Sequence, residues 1–140
     1  MNINTDFLAR CIQTLESASA QLQQHEADSI AYDIMRAACV KEFELVLEQS
    51  GNLLGKRLRP YFVSNLQADR LTFKDRFRHA AKHGLISVES CERWLAYRDA
   101  RNDTTHRYGA GFAETTLKLL PTFISDAKVL ARVITEGSDD

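Results

Sequence analysis

The segment FAETTLKLLPTFISDAKVLARVI, residues 112–134, has the clearest period in the chain. Its apolar and small side chains fall at Phe112, Ala113, Thr116, Leu117, Leu120, Phe123, Ile124, Ala127, Leu130, Ala131 and Ile134. Steps of three and four residues keep one face of an α-helix apolar, whereas a half-buried strand would alternate. A helix of roughly six turns with one apolar stripe draws most of its stability from burying that stripe, so other helices must cover it. Pro121 lies inside the stripe, lacks an N–H and should kink the helix.

Upstream, the same period recurs. Residues 5–24 carry Phe7, Leu8, Cys11, Ile12, Leu15, Ala18 and Leu22 on one face, with Thr5 or Asn4 as the cap. Asp28 or Ser29 can cap a second helix whose face runs Ile30, Ile34, Ala37, Ala38, Phe43 and Leu47. That face weakens toward SGNLLG, where Gly51 and Gly55 permit a bend, and RLRPYF continues as a further turn. LTFKDRFRHAAKHGLIS reads as a third helix, capped by Thr72 and stopped by Gly84, with Phe73, Phe77 and Ala81 inward. Ser87 caps a fourth, whose stripe is Cys91, Trp94 and Leu95, continued by Arg98, Asn102 and His106 until YGAG ends it. No stretch alternates over strand length. Long amphipathic helices joined by short loops pack side by side, so the chain is expected to be all-α, an antiparallel up-and-down bundle of four or five helices.

Composition agrees with this. The 140 residues are one domain's worth, 44% hydrophobic and 26% charged, and 6 Gly with 2 Pro leave little material for many-stranded architectures. A single domain is expected over 1–140, with its core at about 5–134 and a frayed tail at 135–140. No apolar run approaches membrane-spanning length and MNINTDFLARC lacks a secretory pattern, so a cytoplasmic protein without a membrane partner is expected. Cys11, Cys39 and Cys91 are odd in number and far apart, which fits free thiols in a reducing compartment. Charge is uneven despite a net of −1. Residues 1–55 hold 3 basic and 8 acidic groups, 56–83 hold 8 and 2, and 84–140 hold 7 and 9. The middle segment, which includes Arg76 and Arg78, is either an anion-binding face for a polyphosphate partner or a solvated face beside an acidic neighbour.

Chemistry concentrates in RNDTTHRYG, residues 101–109, where an apolar stripe turns polar. Arg98, Asn102 and His106 follow Leu95 on one line, and Arg101 lies one position away. Polar groups aimed inward need a hydrogen-bonded network, a second subunit or a phosphate. Histidine moves protons near neutral pH and arginine forks around phosphate, so the pair suits phosphodiester chemistry. The plain alternative is a set of i, i+4 ion pairs among Arg98, Asp99, Asp103 and Arg107 on an exposed face. Clustered His, Cys and carboxylate spacing that would suggest a metal is missing, so neither metal nor cofactor is expected.

RNDTTH followed by RY resembles the Arg-x4-His-x-Tyr motif of HEPN domains that accompany minimal nucleotidyltransferases, also described as nucleotidyltransferase substrate-binding proteins. VKEFELVLE (residues 40–48), FRHAAKHGLIS followed by Trp94, and LLPTF are similar to other stretches of that family, so the likeness covers about 5–134. With 12 Arg and 4 His, chance supplies roughly 0.3 Arg-x4-His matches, and Arg78–His83 is such a decoy. Requiring the tyrosine lowers that expectation about thirtyfold, and only Arg101–His106 meets it, through Tyr108.

The resemblance implies a ribonuclease toxin that acts without metal, as a homodimer with Arg and His of both chains lining one cleft. His106 would then be general acid or base, Arg101 would stabilise charge on the phosphate, and Asn102 would orient the scissile group. Tyr108 matches the tyrosine to which a partner minimal nucleotidyltransferase attaches AMP, which silences the enzyme. Arg98, Arg76 and Arg78 would contact RNA. A different class of function stays open: a non-catalytic subunit presenting substrate or nucleotide to a separate nucleotidyltransferase, or an adaptor that only binds nucleotide. The only Gly-Ser pair is Gly137–Ser138 in the tail, so this chain is expected to be the transferase's partner rather than the transferase.

Overall fold

A computed structural model describes residues 2–102 and 110–136, apart from the side chains of Ala110 and Phe112. All regular structure among them is helical: α1 (Asp6–Leu22), α2 (Ile30–Leu58), a 3-10 turn (Arg59–Tyr61), α3 (Asn65–Asp69), α4 (Phe73–Lys82), α5 (Val88–Asn102) and α6 (Ala110–Glu136). The bundle expected from the stripes is therefore present.

Local chemistry sets several of the boundaries. Ser29, Ser64, Thr72 and Ser87 each accept a backbone N–H from the residue three further on, closing the first turns of α2, α3, α4 and α5. At the start of α1 the N–H of Asp6 goes to Asn4 Oδ1 at 2.9 Å, and Thr5 makes no side-chain cap. Gly84 has φ +75°, and the N–H groups of Leu85 and Gly84 reach back to the carbonyls of Ala80 and Ala81. That double closure needs a left-handed residue, which glycine supplies without steric cost. α6 runs on past Pro121.

Cross-helix pairs give the packing directions. Thr5 meets Thr135 and Glu16 meets Lys128, so α1 and α6 are antiparallel. Arg36 pairs with Glu114 and Phe43 packs on Phe123, so α2 runs parallel to α6 and opposite to α1. One core joins α1, α2, α4, α5 and α6. Its centre is aromatic: Trp94 stacks on Phe77 at 4.8 Å and meets Tyr97 and Phe123 edge-on, while Phe123 also touches Phe43 and Tyr97.

Two sequence expectations about α2 change. The apolar line through Ile30, Ile34 and Ala37 faces away from the core, with Ile30 79% and Ile34 58% exposed. The line through Cys39 and Phe43, extended back three and four residues at a time, reaches Met35 and Tyr32 instead, and those pack on the core. The helix also continues through SGNLLG, and Gly51 and Gly55 serve close approach rather than a bend. A Cβ at Gly51 would lie 2.6 Å from Phe73 Cδ2, and one at Gly55 would lie 3.0 Å from Arg76 Nε. The missing side chains let α4 settle against α2.

Candidate functional site

The buried residues of α5 are Cys91, Trp94 and Tyr97. Tyr97 was outside the expected stripe, and its presence rotates the inward face by most of a quarter-turn. Arg101, seven residues after Trp94 and four after Tyr97, continues this face, whereas Asn102 is exposed. Arg101 is half-buried, with Nε 3.7 Å from Glu44 Oε2 on α2. A pair this open and long contributes little stability, but it holds the guanidinium beside α2, and among the described residues no other ion pair or hydrogen bond takes up its donors. Arg98 is also half-buried, its guanidinium carbon 5.0 Å from the centre of the Phe73 ring. Asp99 pairs with Lys74 of α4 instead of with a neighbouring arginine of its own helix. His106 and Tyr108, together with Asp103 and Arg107 of the ion-pair alternative, lie outside the described residues.

The other basic candidates separate in space. Arg76 turns toward α2: Nη1 donates to the Gly51 carbonyl at 3.1 Å, and the guanidinium lies against Gly55. Arg78 is exposed and pairs with Asp75 at 3.1 Å. Two residues apart on a helix, they point to opposite sides and cannot grip one phosphate together. Among the described residues no group of three His, Cys, Asp or Glu side chains is placed to hold a metal ion.

Behind Arg101 stands a network that sequence reasoning missed. Asp126 of α6 is 8% exposed. It accepts two hydrogen bonds from Arg93, at 2.8 and 2.9 Å, and a third from the Tyr97 hydroxyl. Burial, then the Asp126 carboxylate, push the Tyr97 phenol well above the ordinary tyrosine range. The hydrogen bonds to Asp126 likewise push the Arg93 guanidinium upward, so it remains charged. The network clamps α5 to α6 one turn before Arg101 and so fixes where that residue emerges. A signal for it existed in the sequence: Asp126 sits beside Ala127 and three residues after Phe123, a carboxylate inside the most regular apolar stripe of the chain.

The cysteines carry no comparable chemistry. Cys11, Cys39 and Cys91 are buried free thiols, and burial pushes Cys39 up to about 11. A thiol held protonated at neutral pH is a poor nucleophile.

An all-α bundle in which Arg101 reaches the edge of the core near the end of α5 defines the class: a small helical protein. Residues 6–136 match the family model described as nucleotidyltransferase substrate binding protein like, and the chain belongs to that family. It is 28% identical over 132 residues to a Haemophilus influenzae protein named "Probable ribonuclease HepT", covering 91% of this chain and 89% of that one. A solved Haemophilus influenzae structure, described as revealing the fold of a substrate binding domain of a nucleotidyltransferase, superposes with a TM-score of 0.79 at 26% identity. That alignment spans 94% of this chain and 98% of the other. Among the described residues no helix is long and apolar enough to cross a membrane.

Proposed function

We propose that this chain is a metal-independent endoribonuclease of the HEPN type, the toxin of a toxin–antitoxin pair. It works in the cytoplasm as a homodimer and is silenced when a partner nucleotidyltransferase attaches AMP to Tyr108. The observation that carries this reading is the likeness, over nine-tenths of the chain, to a relative named as a ribonuclease. Around it stand the Arg101–His106–Tyr108 spacing and the position of Arg101 at the edge of the core.

In this reading His106 exchanges a proton with the ribose 2′-hydroxyl or the leaving oxygen. Arg101, pre-aimed by Glu44, meets the charge that builds on the phosphate in the transition state. Asn102, exposed beside it, orients the scissile group. A second copy supplies the facing Arg101 and His106 and covers the polar end of α5. AMP on Tyr108 puts a bulky anion two residues from His106 and obstructs phosphate entry.

The test is expression of parent and variants with and without the nucleotidyltransferase. Arg101→Ala and His106→Ala each lose RNA cleavage and growth inhibition, by about a hundred- to ten-thousand-fold for the acid–base residue. His83→Ala, which only ends α4 and stacks on Tyr61, keeps both activities. Tyr108→Phe stays toxic and resists the transferase, and mass analysis of the parent finds AMP on Tyr108. Full activity in His106→Ala rejects the assignment.

The second reading, a non-catalytic subunit that presents substrate or nucleotide to a nucleotidyltransferase, is favoured by the description of the solved neighbour. A parent chain that cleaves no RNA yet binds the transferase would establish it.

A further inference from the structure

The basic excess of residues 56–83 gathers around one cleft. A cavity of about 340 Å³ opens between α2, the 3-10 turn, α3 and α4, and its charged lining is Lys56, Arg59, Asp69 and Arg76, with Gln49 and Asn52 beside them. Asp69 is taken up by Arg59, whose Nε and Nη2 donate to it at 3.0 Å each. Three cations around one carboxylate leave a local formal charge of +2. Arg76 and Lys56 are near enough that, after the Arg59 hydrogen bond, both help to hold the Asp69 carboxyl below its ordinary value.

The two cations not bound to Asp69 differ in a useful way. Arg76 is held rigidly by the Gly51 carbonyl and the bare backbone of Gly55, and its Nε is buried without a hydrogen-bond partner among the described residues. Lys56 is exposed and forms no ion pair among the described residues. A fixed guanidinium beside an ammonium unpaired among the described residues, with two side-chain amides at the wall, is suited to a phosphate.

The cleft is not isolated from Arg101. Along α2, Arg101 lies at Glu44, Arg98 lies over Phe73 against Gly51, and Arg76 spans Gly51 and Gly55 next to Lys56. From Glu44 to Lys56 the helix rises about 18 Å. Cations spaced along one helix in this way match a chain of phosphates rather than one small anion.

We propose that the Lys56–Arg59–Arg76 cleft is a phosphate-binding exosite that grips the backbone of a single-stranded RNA several nucleotides away from Arg101. The identity of the strand as substrate rests on the ribonuclease reading, but the exosite is read by binding and does not need cleavage.

The experiment measures binding of a fluorescent twelve-nucleotide single-stranded RNA to parent, Lys56→Glu, Lys56→Gln and Arg132→Glu at several salt concentrations. Arg132 is exposed on α6 and undergoes the same change of net charge, so it reports the general field alone. Lys56→Glu should lose roughly tenfold in affinity, Lys56→Gln less, and the salt slope should flatten by about 0.7 for the lost phosphate contact on a single strand. Arg132→Glu should stay within about twofold of the parent. Equal losses in Lys56→Glu and Arg132→Glu overturn the exosite, as does a parent that binds no RNA. ATP is the second probe: Lys56-dependent binding of ATP as tight as that of the oligonucleotide makes this a site for a free nucleotide and overturns the strand. Lys56-dependent RNA binding by a parent that does not cleave leaves the exosite standing and removes the ribonuclease. Cleavage by the parent with affinity unaffected by Lys56→Glu does the reverse.

Discussion

Asp126 and Tyr97 show how much depends on one buried oxygen. The hydroxyl donates to a carboxylate inside the aromatic core, and Arg93 fills the remaining positions on that carboxylate. Tyr97→Phe keeps the ring contacts with Trp94 and Phe123 but removes one of three donors, so it should cost about 1–3 kcal/mol in chemical denaturation. The sign of its pH dependence follows from the raised phenol pKa. A group whose folded pKa lies above its unfolded value stabilises fully below the unfolded one, here 10.0, and loses that contribution as pH rises toward the folded one. The stability gap between parent and Tyr97→Phe should therefore be constant through neutral pH and shrink above about pH 10. A gap that widened with alkalinity would contradict the network. If the proposed ribonuclease reading holds, Tyr97 lying one turn before Arg101 means the variant should also lower RNA cleavage while leaving the pH profile of cleavage in place.

Among the elements, the crossing of α2 and α4 depends on two glycines. A Cβ at Gly51 would collide with the Phe73 ring, and one at Gly55 would crowd the Arg76 guanidinium. Gly51→Ala would bring a methyl to 2.6 Å from the Phe73 ring, which must move, and Arg98 rests on the same ring. We expect about 1–3 kcal/mol of destabilisation from the overpacking, despite alanine's better helix propensity. A thermal melt at or above that of the parent would show that α4 can shift freely. These glycines were visible in the sequence, but glycine in a helix has two meanings, a weak point or a contact point. Only the position of α4 distinguishes them. In α1 and α6 the structure buries most of each stripe, Leu8, Ile12 and Leu15 in α1 and Leu120, Phe123, Leu130 and Ile134 in α6. Phe7, expected on the inward face of α1, is 56% exposed because it precedes Leu8 at the edge of that face.

For the molecule as a whole, the apolar outer line of Ile30, Ile34 and Ala37 is a surface exposed among the described residues. Glu44, which holds Arg101, is four helical turns from Ile30 on the same side of α2, so one covering partner can reach both. A two-fold dimer at micromolar concentration is the expected result of analytical ultracentrifugation, with both Arg101–His106 pairs facing one cleft. A chain that sediments as a monomer at that concentration would contradict a composite site.

The sequence by itself determined the all-α class, the main helices and the family resemblance, because 3.6-residue periodicity, cap residues and short motifs are local properties of a chain. The short helix α3 escaped it, since five residues are too few to display a period. Which face of a helix turns inward was legible only where the stripe was unambiguous. On α2, apolar residues occur on two sides, and on α5 Tyr97, whose hydroxyl has a buried partner, was left out of the expected stripe. Both were decided by neighbours distant in the chain: α6 brings Asp126 to Tyr97, and α4 occupies the glycine face of α2. The tertiary structure likewise separated the basic segment into Arg76, fixed over α2, and Arg78, paired on the opposite side. Charge can be counted along a chain, but a site is made by charges that converge, and convergence is set by packing.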